Sequence, residues 1–119
     1  HKVFGVPAAT AAGMAMVPLA ARVAFDAAMD IGLTSAQGGE IVRTLMRASG
    51  STGMIGGQLL DLEGEGRELT LEELERIHRW KTGALIEAAV TIGGIAAGAS
   101  PALLATFATY GASVGLAFQ

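Results

Sequence analysis

No stretch of this sequence alternates apolar and polar residues with a period of two, whereas apolar residues recur at steps of three and four along most of its length. A chain patterned this way has no face from which to build a half-buried sheet and must bury helical stripes against one another. The expected architecture is therefore an all-α, antiparallel helix bundle. Ala and Gly are frequent throughout, and such small residues let helix axes approach closely.

Start and stop signals divide the pattern into five stretches. The first runs from about Pro7 to Ile31, with Pro18 expected to bend its middle and Gly32 to end it. Thr34 and Gln37 have the spacing of a capping box for a shorter helix that ends near Ala48. From Ser51 to Glu63 the chain is rich in Gly yet apolar at Ile55, Leu59 and Leu62, which suggests a helix pressed closely against its neighbours. Residues 64–69 read as a polar turn. Thr70, with Glu73 three residues later, then caps the longest helix, which carries Leu71, Leu74, Ile77, Leu85 and Ile92 and stops at Gly98. Ser100 and Pro101 mark a last start, with Leu104, Phe107, Val114 and Phe118 as the apolar side. Because the chain begins at His1 and ends at Gln119 within what reads as an unfinished helix, residues 1–119 are expected to be one domain truncated at both ends.

Composition excludes several functions. With 8 Lys plus Arg against 11 Asp plus Glu, the formal net charge is −3, and no basic block is present to follow a nucleic-acid backbone. There is no cysteine, hence no disulfide framework and no thiolate metal site, which fits a cytoplasmic protein. Val3 to Ala21 carries no charge and is long enough to raise the question of a membrane span. Its residues are mostly Ala, Gly, Thr and Pro, which contribute little to transfer into lipid, so no span is expected. Neither histidine comes with a serine and an acid at recognisable spacing, which leaves covalent hydrolase chemistry without a nucleophile.

Lys81 is the most informative position. On the long helix the stripe Leu74, Ile77, Lys81, Leu85, Ala88, Ile92 places an ammonium on the side otherwise turned to the core. Such a charge needs a carboxylate or an anionic ligand, or else it must extend along the stripe to solvent, and spacing alone leaves both outcomes open. Thr82 and Gly83 follow and weaken the helix, so a kink that frees a carbonyl is expected there. Gln58 and Asp61 project from one side of the Gly-rich helix, either to line a polar cleft or as a solvated flank. Asp61, Glu63, Glu65, Gly66 and Glu72 match a calcium-loop spacing, but Glu occupies two tight positions, Glu68 stands where an apolar residue belongs, and no second loop follows. Asp26 and Asp30 share a helix face and read as surface charge; His78 reads as a partly exposed, hydrogen-bonded residue.

Three blocks in register carry a resemblance. They are Gly56-Gly57-Gln58-Leu59-Leu60-Asp61-Leu62, then Leu74-Glu75-Arg76-Ile77-His78 leading into Lys81-Thr82-Gly83-Ala84-Leu85-Ile86, then Gly115-Leu116-Ala117-Phe118-Gln119. In order and spacing they closely resemble the trans-isoprenyl diphosphate synthases, the farnesyl and geranylgeranyl diphosphate synthases of the polyprenyl synthetase family. His1-Lys2-Val3-Phe4-Gly5 resembles the segment that follows the family's first Asp-rich motif.

The resemblance implies part of the isoprenoid synthase fold and a prenyltransferase that joins an allylic diphosphate to isopentenyl diphosphate with magnesium. Lys81 would neutralise the departing diphosphate, while Thr82, Gln58 and Gln119 would turn partial negative charge toward the allylic cation. Lys81, Thr82 and Gln119 would thus bind substrate, and Asp61 would stand near the magnesium ions without ligating them directly. Neither Asp-Asp-x-x-Asp motif is present, so no metal ligand is expected within these residues and the isolated piece is expected to be inactive. The resemblance further implies a homodimer formed through the first two helices. Val6-Pro7-Ala8 replaces the family's usual Glu-Ala-Asn. A noncatalytic subunit that dimerises with an active synthase is the alternative, and intact or eroded Asp clusters in the flanking sequence would separate the two.

Overall fold

The computed structural model describes all residues from His1 to Gln119, and every regular element in it is helical. The order is α1 (Gly5–Asp30), α2 (Ser35–Ser49), α3 (Met54–Gly64), α4 (Leu71–His78), a π-helical segment (Arg79–Gly83), α5 (Ala84–Ala96) and α6 (Pro101–Phe118). The polar starts expected from sequence are in place. The Thr34 hydroxyl accepts from the Gln37 N–H while the Gln37 side chain accepts from the Thr34 N–H, and Thr70 and Glu73 repeat the exchange at α4. The Ser100 hydroxyl accepts from the Leu103 N–H with Pro101 in the first turn of α6. Gly32 and Gly98 adopt φ values of 82° and 71° just past α1 and α5, which few other residues tolerate.

α5 lies in the middle of a layer, packed on one side against α6 and on the other against α2, which in turn carries α1. The core sits where these meet: Ala28, Ile41 and Ile95 are buried, with Ala24, Met29, Leu33, Ile92 and Leu104 packed around them. No large side chain is fully buried. The layer is open. Its radius of gyration is 16.0 Å, where a compact chain of this length has about 13.5 Å. It exposes 7795 Å², against about 6,000 Å² for a compact monomer of its mass.

Several apolar stripes read from sequence face outward. On α3, Ile55, Leu59 and Leu62 are exposed, and the buried positions are Gly57 and Gly64. The helix is pressed against its neighbours as expected, but by the side that lacks side chains, because only there can two backbones touch. α6 behaves similarly: Val114 and Phe118 are exposed, while Gly111 and Gly115 are buried against α5 and the π segment. The first helix continues without interruption through Pro18. Its N-terminal half is almost wholly exposed, Met14, Met16 and Leu19 included, and by length and composition alone α1 and α6 could each cross a membrane.

Candidate active site

Between Thr70 and Gly98 the long helix is not a uniform α-helix. At Arg79–Gly83 the hydrogen bonding widens, so that the Ala84 N–H donates to the carbonyl of Arg79, five residues back. The weak Lys81-Thr82-Gly83 sequence was expected to kink; it relaxes instead into one π turn, a device that inserts a residue without breaking the rod. Returning from five-residue to four-residue bonding skips one acceptor, so one carbonyl within the turn loses its helical donor.

Two helices close on this turn. Gly57 of α3 faces it so tightly that a β-carbon there would lie 2.2 Å from the Lys81 nitrogen and 2.6 Å from the Lys81 α-carbon. From the other side, a β-carbon at Gly115 of α6 would lie 2.6 Å from the Gly83 α-carbon. No residue but glycine fits either crossing without displacing backbone.

The side chains of the turn reach the same two helices. The Lys81 ammonium donates to a carboxylate oxygen of Asp61 on α3 at 2.6 Å. The Gln119 amide, at the end of α6, donates to the Thr82 hydroxyl oxygen. Lys81 therefore takes the paired outcome, but it is not turned into the core: its side chain is 37% exposed and that of Asp61 39%. The ammonium reaches across to α3 and stays partly exposed. Gln58 follows Gly57 directly; its side chain is exposed and hydrogen-bonds neither Thr82 nor Gln119.

The remaining candidates separate from this centre. Asp61 lies within helix α3, not in a loop, and no three acidic or histidine side chains converge to hold a metal ion. Asp26 pairs with Arg22 on the exposed side of α1, and His78 is half-buried at the end of α4. Glu73 is the one carboxyl clearly shifted: the Thr70 backbone and hydroxyl donors of the capping box hold it below the usual value of 4.5. Gly115 was legible only as the first residue of the block that ends at Gln119, and nothing in its spacing marked it as a contact residue.

An all-α layer that presents a lysine and a threonine on a widened helical turn, with a glutamine beside them at the end of α6, has the makings of a site for an anionic substrate and a developing cation. The polyprenyl synthetase family model matches residues 1–119, and the chain belongs to that family. It is 44% identical over its whole length to the farnesyl diphosphate synthase of Escherichia coli (strain K12), of which it spans 40%. Among solved structures, it is similar to the geranyltransferase of Helicobacter pylori with a TM-score of 0.73 and 34% identity, over 80% of this chain and 33% of that one. The same enzyme complexed with magnesium and isoprenyl diphosphate gives a TM-score of 0.72 at 34% identity, over 80% of this chain and 32% of that one. The fold is thus the isoprenoid synthase bundle of these relatives, present here over about two-fifths of the E. coli enzyme's length.

Proposed function

We propose that the protein to which residues 1–119 belong is a trans-prenyltransferase that condenses an allylic diphosphate with isopentenyl diphosphate. The observation that carries this reading is the π turn, where an ammonium and a hydroxyl, adjacent in sequence, are held by side chains from two different helices. The ammonium of Lys81 binds the allylic diphosphate and offsets its charge as the carbon–oxygen bond breaks and the electron pair leaves with the diphosphate. Gln119 uses its amide N–H on Thr82, which leaves its carbonyl oxygen for the allylic cation. That oxygen, the Thr82 hydroxyl, the carbonyl released by the turn and the exposed amide of Gln58 present fixed partial negative charge, without water that would trap the cation. The cation then adds to the double bond of isopentenyl diphosphate, and loss of a proton from the neighbouring carbon leaves a longer allylic diphosphate.

Magnesium belongs in this reading to Asp-rich motifs outside residues 1–119, since these residues alone offer no ligand set for it. Asp61 holds Lys81 before substrate arrives and would stand near the magnesium ions without ligating them directly. The Helicobacter pylori relative crystallised with magnesium and isoprenyl diphosphate supports this ligand class. We assign the uncovered half of α1 to a second copy of the whole protein, which would dimerise through α1 and α2. The Ala, Gly, Thr and Pro residues of α1 suit close contact with another helix better than contact with lipid.

The test is a product assay on the full-length protein with magnesium, an allylic diphosphate and labelled isopentenyl diphosphate. A longer isoprenoid diphosphate is expected, and its absence would dismiss the reading. Lys81→Ala in that protein should slow turnover by about 100-fold or more while helix content stays the same; unchanged turnover removes Lys81 from the mechanism.

A further inference from the structure

The two helices that grip the π turn do so in the same way. On α3, Gly57 touches the backbone of Lys81, and Asp61, four residues later, hydrogen-bonds the Lys81 side chain. On α6, Gly115 touches the backbone of Gly83, and Gln119, again four residues later, hydrogen-bonds the Thr82 side chain. Residues four apart lie on one face of a helix, about one turn or 6 Å along it. Each helix therefore meets the turn twice, once backbone to backbone and once side chain to side chain.

We propose that Gly57 and Gly115 are positioning residues that set where the Lys81 ammonium and the Thr82 hydroxyl stand relative to each other. The glycine fixes the depth at which the turn sits against the helix, and the polar residue one turn on fixes the direction of the side chain it holds. Intrinsic propensity argues against glycine at both places, since Ala in a helix interior is better by about 0.8 to 1 kcal/mol. The contacts explain its presence: a β-carbon would push the turn away from α3 or from α6. Pushing from α3 moves Lys81 off Asp61, and pushing from α6 moves Thr82 off Gln119. A displacement of about 1 Å at such groups can cost about 100-fold in rate. This inference rests on the role proposed for Lys81 only where diphosphate is concerned; the geometry of the two grips is independent of it.

The experiment uses full-length protein and two readouts. The first is the nitrogen-15 NMR resonance of the Lys81 ammonium, which reports its bond to Asp61 without substrate. Gly57→Ala should shift that resonance toward the free-lysine position, and an unmoved resonance in folded variant protein overturns the proposal. The second is calorimetric binding of inorganic pyrophosphate in the presence of magnesium. Gly57→Ala should weaken it by about tenfold or more, and should add nothing further in a Lys81→Ala background. An equal loss with and without Lys81 means that the glycine acts by general destabilisation, and the proposal falls. Where the resonance moves but Lys81→Ala itself leaves pyrophosphate affinity intact, the two grips stand and the functional role of Lys81 fails instead. Should Gly57→Ala not fold, Gly115→Ala carries the test from α6, where the added methyl meets a single α-carbon at 2.6 Å. Its readout is turnover relative to the Gln119→Leu background, which already lacks the side-chain grip and the amide oxygen proposed to face the cation. Loss that is smaller in that background than in wild type supports the coupled grip, and loss of the same size overturns it.

Discussion

Gly13 and Gly57 are both interior residues of helices in this chain, yet nothing lies within 4 Å of a β-carbon built on Gly13, and a backbone nitrogen lies at 2.2 Å from one built on Gly57. The first belongs to the uncovered half of α1, the second to the grip on the π turn. Two helices with interior glycines thus behave oppositely: one stays uncovered by this chain at its glycine, the other joins in bringing three helices into backbone contact. What separates them is whether a neighbour crosses at the glycine itself.

The largest expected break in that contrast is Gly57→Ala, which should destabilise the folded full-length protein by about 3 kcal/mol, the upper part of the usual overpacking range. Chemical denaturation checks it, and a loss below 0.5 kcal/mol, taken as about the scale of an ordinary surface substitution, would show that the crossing relaxes freely. Next in size, Leu19→Glu on the open half of α1 should raise the dissociation constant of the proposed dimer by about tenfold to 100-fold, with monomer helicity unchanged. Sedimentation of the full-length protein reads it, and a dimer indifferent to this charge would move the interface elsewhere. Gly13→Ala should go the other way from Gly57→Ala and stabilise α1 by up to about 1 kcal/mol, unless the partner copy needs that glycine as closely as the π turn needs Gly57. The smallest effect is the pH dependence of the α4 start. Glu73 is held below 4.5 in the folded chain, so its contribution is fully present above that value and is lost as the pH falls through the lower, folded value. Glu73→Gln, which removes the titrating group, should abolish this acid-dependent fraying, measured by amide exchange at Glu72 and at position 73.

The same contrast explains what could be read from the sequence. Caps at Thr34 and Thr70 were legible because each is closed by a side chain three positions away, and the start at Ser100 because Pro101 follows it. Helix stops at Gly32 and Gly98 were legible for the same local reason. The weak point at Lys81-Thr82-Gly83 was visible, but its form as a π turn was not, because that form accompanies contacts from Gly57 and Gly115, 24 and 34 residues from Lys81 in sequence. Exposure of Ile55, Leu59, Leu62, Val114 and Phe118 could not be read, since periodicity marks an apolar face without saying whether this stretch of chain covers it. For Lys81 the residues alone left pairing and solvation open, and the bond to Asp61 depends on how α3 crosses the turn. Gln58 was grouped with Gln119 through family resemblance, yet only Gln119 is engaged with Thr82.

Lys81 and Thr82 are consecutive, and consecutive side chains on a helical turn point in different directions, so neither partner helix holds both. Each takes one. The single peptide that joins them is consequently a mechanical link between α3 and α6, and any sliding of one helix past the other must stretch, twist or release it. A molecule that wedges those two helices apart at a distance from the cation would disarm the pair without touching it.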